Sequence, residues 1–381
     1  MATVKPSTSG AEEVRDDTLL SGAHAGERGG DLPLADYTTL RLGGPATELV
    51  IARRPEELTA AVRAADSAGQ RLLVLGGGSN VVVADEGFAG HAVRIATKGR
   101  QYDSVGDGLV QLTAEAGEDW DEVVADTVRH GLGGLECLSG IPGLTGATPV
   151  QNVGAYGVEV SELLVSVDLL DRSTGRVRTV PASELGLTYR NSVLKHSDAA
   201  VVLRARFLLR DGGRSAPIRY AELARTLDAE PGGQVDVASA REAVLALRRG
   251  KGMVLDPADH DTWSAGSFFT NPIVGADELP EVVARIVAEV GPDQRIPQYP
   301  GADGGTKLSA AWLIERAGFA KGHPGPGGRV RLSTKHTLAL TNRGAATTRD
   351  LLLLAREVRD GVRVAFGVSL APEPVLVDCS L

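Results

Sequence analysis

The sequence predicts an α+β chain of several domains. Three observations carry that expectation: a strand, helix and strand over residues 48–78, a mixed stretch with a hairpin signal over residues 93–230, and amphipathic helices towards the C-terminus. A length of 381 residues exceeds a typical single domain, and 43% hydrophobic residues can fill more than one core. Gly76-Gly77-Gly78-Ser79-Asn80 follows the apolar run Leu72-Leu73-Val74-Leu75 and leads into Val81-Val82-Val83, a second strand. A nicotinamide-type glycine loop opens a helix instead, so a Rossmann domain is not expected.

Residues 1–30 mix Gly, Ser, Ala and charge without a sustained period, and a disordered extension is expected there. Glu48 to Ala52 reads as a strand. Pro55 suits the first helical position, Glu56 and Glu57 complement the helix dipole, and Leu58, Ala61, Val62 and Ala65 form one apolar stripe ended by Gly69. Arg71 to Gly78 reads as the next strand. Leu109 to Ala114 is a strand and Trp120 to His130 a helix, while Asp171-Arg172-Ser173-Thr174-Gly175 supplies a turn between the alternating runs of Val165 to Val180. A strand over Val201 to Leu209 precedes helical patterns from Tyr220 to Leu227 and from Ala238 to Arg249. Gly250 to Ala265 reads as a domain connection. Beyond it, helices are expected at Asp277 to Val290, at Leu308 to Ala317, and from Arg349 onward, where Leu351, Leu354, Ala355, Val358 and Val362 share a face and Thr347 stands three residues before Asp350 as a cap. Val375 to Val377 reads as a closing strand.

A formal net charge of −9 argues against a nucleic-acid or anionic-membrane surface, so an anionic ligand must be met by local Arg and Lys. No apolar run approaches a membrane-spanning length, and the N-terminus lacks a basic region followed by an apolar core. Two cysteines, Cys137 and Cys379, are too few for a disulfide framework and are read as reduced, buried thiols of a cytoplasmic protein. The seven histidines show no ligand spacing, and no metal is expected.

A second glycine loop, Gly140-Ile141-Pro142-Gly143, runs on through Gly146 to Gln151-Asn152-Val153-Gly154-Ala155-Tyr156-Gly157. Residues without side chains let backbone amides approach an anion, so the two loops together point to a cradle for a diphosphate-bearing cofactor. Each loop alone is equally an ordinary turn. Three further segments place single reactive side chains in stiff settings: Arg190 in Thr188-Tyr189-Arg190-Asn191-Ser192, Ser267 in Gly266-Ser267-Phe268-Phe269-Thr270-Asn271-Pro272, and Glu373 between Pro372 and Pro374. Between Gly266 and two aromatics, the Ser267 hydroxyl could serve as a proton donor shielded from water. Alone, Gly-Ser-Phe is the start of a strand, Arg190 a structural ion-pair residue and Glu373 a solvated turn; only the combination points to chemistry.

That combination resembles the UDP-N-acetylenolpyruvoylglucosamine reductase (MurB) family. Its Gly-Gly-Gly-Ser-Asn, Ser-Gly-Ile-Pro-Gly, Gln-Asn-x-Gly-Ala-Tyr-Gly, Tyr-Arg-x-Ser, Gly-Ser-Phe-Phe-x-Asn-Pro and Pro-Glu motifs recur here in order, from about residue 38 to 375. The resemblance implies an FAD-binding fold of the vanillyl-alcohol-oxidase type, made of two α+β subdomains, with a third α/β substrate-binding domain. Boundaries are expected at 31–95 and 96–250 for the flavin halves, 251–367 for the substrate domain and 368–381 for a C-terminal segment carrying Glu373. Noncovalent FAD would be held by Gly76, Gly77, Gly78, Ser79, Asn80, Gly140, Ile141, Pro142, Gly143, Gly146, Gln151, Asn152, Gly154, Ala155 and Tyr156.

NADPH would reduce the flavin, which would then pass hydride to C3 of UDP-N-acetylglucosamine enolpyruvate, giving UDP-N-acetylmuramate. By the same resemblance, Arg190 and Glu373 stand at the substrate carboxylate and Ser267 protonates C2, while Tyr220, Arg248, Lys251 and Asn271 bind the UDP-sugar. Tyr220 matches the tyrosine of a substrate-capping loop, although a core-packing tyrosine at a helix start and a solvated basic pair at 248 and 251 are the plainer readings. A monomer is expected. The N-terminal extension and Leu40, where the family has an aromatic, depart from the pattern. An FAD-dependent oxidase or dehydrogenase of the same fold, or a non-catalytic UDP-sugar-binding protein, are the alternatives.

Overall fold

The computed structural model describes residues 32–301 and 304–381. The expected disordered extension lies outside the described residues. The first strand, Ala46–Ala52, leads into α1 (Pro55–Ser67), which starts on Pro55 and buries Leu58, Val62 and Ala65. The expected strand from Arg71 to Gly78 is shorter, Leu72–Leu75, because the glycines turn the chain away into the cleft described below. Nor do these two strands pair with each other. Phe88–Ile95 inserts between them, parallel to both.

The second region is a five-stranded antiparallel sheet in the order Arg176–Pro181, Leu164–Asp171, Ala200–Arg210, Leu109–Glu115, Arg100–Gly106. The expected hairpin forms its first pair. Alternation along Ala200–Arg210 buries Val201, Leu203, Ala205, Phe207 and Leu209, as a half-covered strand requires. Against this sheet pack α2 (Trp120–Arg129), α3 (Ala221–Thr226) and α4 (Val237–Gly250). One continuous core joins Ala52, Leu58 and Val62 of the first region to residues as far along as Val244.

The remaining chain builds another core around α5 (Leu279–Val290), α6 (Ala310–Arg316) and α7 (Thr348–Phe366). Thr347 and Asp350 form the expected capping box, the Thr347 hydroxyl accepting from the Asp350 amide at 3.1 Å and the Asp350 carboxylate from the Thr347 amide. Leu351, Leu354, Ala355, Val358 and Val362 are fully buried. At roughly 1.5–3 kcal/mol for each large apolar side chain, packing outweighs helix propensity here, and Val358→Asp would break the helix from its seat.

The C-terminal strand, Val375–Val377, pairs in parallel with Val81–Val83, so the last residues return to the first region. Both cysteines are free, but Cys379 is only partly buried, unlike the expectation; the strand before it lies near the surface. Among the described residues no helix is long and apolar enough to cross a membrane, and no group of three His, Cys, Asp or Glu side chains could hold a metal ion.

Candidate functional site

A cleft of about 560 Å³ opens where the two cores and the C-terminal strand meet. Gly76 to Asn80 line one wall and Ile141, Pro142 and Gly143 the adjoining one. The loops lie so close that a Cβ on Gly77 would sit 2.7 Å from the Cα of Gly143, and one on Gly78, at φ +60°, would strike the Tyr37 carbonyl. Glycine is therefore required at 77 and 78 by backbone contact, and those stretches of wall present main chain alone. Asn80 reaches across, its Nδ2 donating to Gln151 Oε1 at 2.6 Å.

Gln151 and Gly154 also line the cleft, whereas Gly140, Gly146, Asn152, Ala155 and Tyr156 stand behind or beside its wall. Gly140 donates its amide to Asp121 at 2.6 Å, and a Cβ on Gly146 would collide with Ala116. Asn152, fully buried at φ +48°, donates to Glu159 and to the Thr188 carbonyl and accepts from the Ser161 amide at 3.0 Å. Its polar atoms serve the backbone. Ala155 belongs to a short hairpin with Val158.

At the other end of the cleft, Arg190 sits in a tight turn closed by amide-to-carbonyl bonds between Thr188 and Asn191. Its backbone is left-handed, φ +53°, a conformation that a bulky residue adopts only when surrounding contacts enforce it. Those contacts are visible: Nη2 donates to the Gly154 carbonyl at 2.6 Å, and Ser192 Oγ donates to the Val150 carbonyl at 2.5 Å. Arg190 Nε lies 3.6 Å from Glu373 Oε1. Glu373 is carried by a segment that runs beside Phe268 to Thr270, with its amide donating to the Phe268 carbonyl at 2.8 Å and the Thr270 amide to Ala371 at 3.1 Å. This ladder brings Ser267 and Glu373 to the same cleft as Arg190. Burial raises the Glu373 carboxyl above the ordinary range, against the opposing pull of Arg190 and Lys195.

Arg248 lines the cleft from the last turn of α4. Its Nη2 donates to the Met253 carbonyl at 2.8 Å, while its buried Nε has no partner among the described residues. Burial draws this guanidinium down to about 10. An unpaired buried cation is costly, so this group is suited to an anionic ligand. Asn271 also lines the cleft and accepts from the Ala310 amide at 2.9 Å, fixing the start of α6. Lys251 and Tyr220 lie outside the lining. Lys251 pairs with Glu222 at 2.6 Å, and Tyr220, which precedes α3 and is 42% exposed, meets the Tyr156 ring edge-on with centroids 5.3 Å apart.

Lys195 is a lining residue that the sequence reading passed over. Its Nζ donates to the Arg190 carbonyl at 2.9 Å. Tyr189, quoted only as part of a motif, also lines the cleft, with Lys307 Nζ 4.5 Å from its ring centroid. The only signal for Lys195 was its place five residues after Arg190, across a turn.

Two closely packed glycine loops that present main chain to the cleft fit a dinucleotide such as FAD. An FAD-binding domain family model matches residues 46–181, and the C-terminal domain model of UDP-N-acetylenolpyruvoylglucosamine reductase matches residues 256–377. The chain is 79% identical over 373 residues to UDP-N-acetylenolpyruvoylglucosamine reductase of Saccharopolyspora erythraea, covering 98% of this chain and 100% of that one. To its counterpart from Nocardia farcinica it is 61% identical, covering 97% and 94%. The crystal structure of the MurB reductase from Thermus caldophilus superposes with a TM-score of 0.61 at 27% identity, over 91% of this chain and 97% of that one. The fold is accordingly the vanillyl-alcohol-oxidase type of FAD-binding fold with an added substrate domain. With a cleft of this composition and similarity running the length of the sequence, the chain belongs to the UDP-N-acetylenolpyruvoylglucosamine reductase family.

Proposed function

We propose that Ser267, Arg190 and Glu373 carry the chemistry of this cleft and that the glycine loops hold the cofactor. The chain is an FAD-dependent oxidoreductase that uses NADPH to reduce UDP-N-acetylenolpyruvoylglucosamine to UDP-N-acetylmuramate in peptidoglycan precursor synthesis. The observation that carries the residue assignment is the convergence of these three side chains, distant in sequence, on the cleft that the glycine loops wall.

Bound FAD supplies the two-electron transfer from NADPH to the enolpyruvyl double bond. As C3 gains its hydrogen, negative charge moves onto the substrate carboxylate, which becomes an enolate. Arg190 offers a fork of donors at that carboxylate, and its turn holds the fork rigid without reorganisation during the step. Glu373, kept protonated to higher pH than an ordinary glutamate by its burial, adds a further donor. Ser267 then passes its hydroxyl proton to C2; a serine is a weak acid, but an enolate is a strong base and the cations that line the same cleft steady the alkoxide. Arg248 and Asn271 hold the UDP-sugar within the cleft, and Tyr220 and Lys251 form its outer rim.

The flavin halves are read as residues 31–95 and 96–250, the substrate domain as 251–367, and the Glu373 segment as 368–381. The protein is read as a cytoplasmic monomer without nucleic-acid or membrane partners; net charge −9 speaks against such partners and two free thiols fit a reducing compartment.

Anaerobic stopped-flow kinetics test the assignment. Ser267→Ala should leave flavin reduction by NADPH nearly intact and slow reoxidation by the enolpyruvyl substrate roughly 10²–10⁴-fold. Equal slowing of both half-reactions removes Ser267 from the acid role. Wild-type flavin that NADPH reduces but only oxygen reoxidises overturns the reductase reading.

A further inference from the structure

Two cations, not one, line the cleft with the buried carboxylate of Glu373. Arg190 is its ion-pair partner at 3.6 Å. Lys195 lines the same cleft, and its ammonium interacts favourably with Glu373 while donating at 2.9 Å to the main-chain carbonyl of Arg190. That carbonyl belongs to a residue at φ +53°. A donor on it satisfies a polar group that the turn leaves outside its own two hydrogen bonds, both of which join Thr188 and Asn191. Burial lowers the affinity of Lys195 for its proton and Glu373 opposes this, while the hydrogen bond to the Arg190 carbonyl holds the ammonium in place.

Charge accounting then separates the two cations. An ionised Glu373 cancels Arg190 and would leave this end of the cleft neutral towards an incoming carboxylate. With Lys195 it stays positive in either protonation state of Glu373. We propose that Lys195 is a positioning residue, which ties off the turn carrying Arg190 and gives the Arg190–Glu373 end of the cleft the surplus positive charge that selects a carboxylate-bearing UDP-sugar.

Resting on the reading that Arg190 and Glu373 face the substrate carboxylate, the proposal predicts more than a loss of rate. The groups facing Glu373 are Arg190 and Lys195, with the Tyr189 phenol next in reach and itself raised by burial. Removal of one cation moves the Glu373 carboxyl further up. The pH at which substrate-driven reoxidation falls to half on the alkaline side should therefore rise by about one unit in Lys195→Met.

Two measurements on the flavin-loaded full chain decide it. Calorimetric titration of the oxidised holoenzyme compares UDP-N-acetylmuramate, which carries the carboxylate, with UDP-N-acetylglucosamine, which does not. Lys195→Met should weaken the first about tenfold and the second less than twofold, and Lys195→Arg should restore most of the difference. Stopped-flow reoxidation across pH should show the upward shift in the Met variant and its reversal in the Arg variant. Equal weakening of both ligands, or an unmoved alkaline midpoint, overturns the proposal. If the wild type itself does not distinguish the two ligands, the underlying placement of Arg190 and Glu373 fails instead. Flavin content equal to wild type in both variants establishes that they fold.

Discussion

Arg190 and Arg248 are both guanidinium groups facing one cleft, yet the chain treats them in opposite ways. Arg190 is bent into a left-handed turn, bonded to the Gly154 carbonyl and set against a carboxylate. Arg248 extends from a regular helix end with one carbonyl partner, no ion-pair partner among the described residues and an unused Nε. The first has a carboxyl partner and a geometry fixed within the protein. The second meets Asp121 only through space and keeps a buried donor free for a ligand. Rigid, paired charge suits a step in which charge develops; unpaired charge suits ground-state capture.

The sharpest way to break this contrast is Arg190→Met. Reoxidation by the enolpyruvyl substrate should fall about 10³-fold, with UDP-sugar affinity changed far less, as measured by single turnover and by titration. A purely affinity-based loss would make the two arginines alike. Next in size, Glu373→Gln should lower turnover about 10²-fold and flatten the alkaline fall in rate. The sign follows from burial: the carboxyl is raised, so its proton is held to higher pH than that of an ordinary glutamate and is lost as pH climbs through the raised value. A Gln variant that retains the alkaline fall would assign that titration elsewhere.

Arg248→Met should weaken UDP-sugar binding roughly 10–100-fold while turnover at saturation changes little, the profile of uniform binding. A turnover loss comparable to that of Arg190→Met would erase the distinction. The smallest effect is expected from a third guanidinium, Arg329, which is paired outside the cleft lining. Arg329 donates two hydrogen bonds to Asp350, holding that carboxyl down to about 2. Because the folded value is depressed, the stabilisation is present above the ordinary carboxylate range and lost as pH falls from about 4 towards 2. Asp350→Asn should cost about 1–2 kcal/mol in denaturant titration at neutral pH, less at acid pH, and leave the kinetics untouched.

What could be read from residues alone follows the same line between local and distant causes. The capping box at Thr347, the stripe of α7 and the hairpin turn at Asp171 to Gly175 are local patterns, and each reappears in the fold. The insertion of Phe88–Ile95 between the first two strands is a pairing choice without local signature. Of the residues expected at the cofactor, the glycine triplet, Ile141, Pro142 and Gly143 line the cleft; Asn152 stands behind it because its amide is occupied by Glu159 and the Thr188 carbonyl. Motif membership could not separate a residue that faces a ligand from one that holds the loop which does. Lys195 escaped for the converse reason: a lysine beyond a turn resembles solvated surface until its partner, a main-chain oxygen, is seen.

The return of Val375–Val377 to Val81–Val83 bears on how the protein is made. The Asn80 side chain approaches the Glu373 carbonyl across 293 residues of sequence, and the strand that follows Glu373 is translated long after the strand it pairs with. A nascent chain arrested before that point contains every glycine of the cofactor walls and lacks both the carboxyl opposite Arg190 and the strand that seats it. Synthesis thus lays down the cofactor walls before the residues that arm the site, and truncation ahead of Glu373 removes the carboxyl opposite Arg190 together with the strand that seats it.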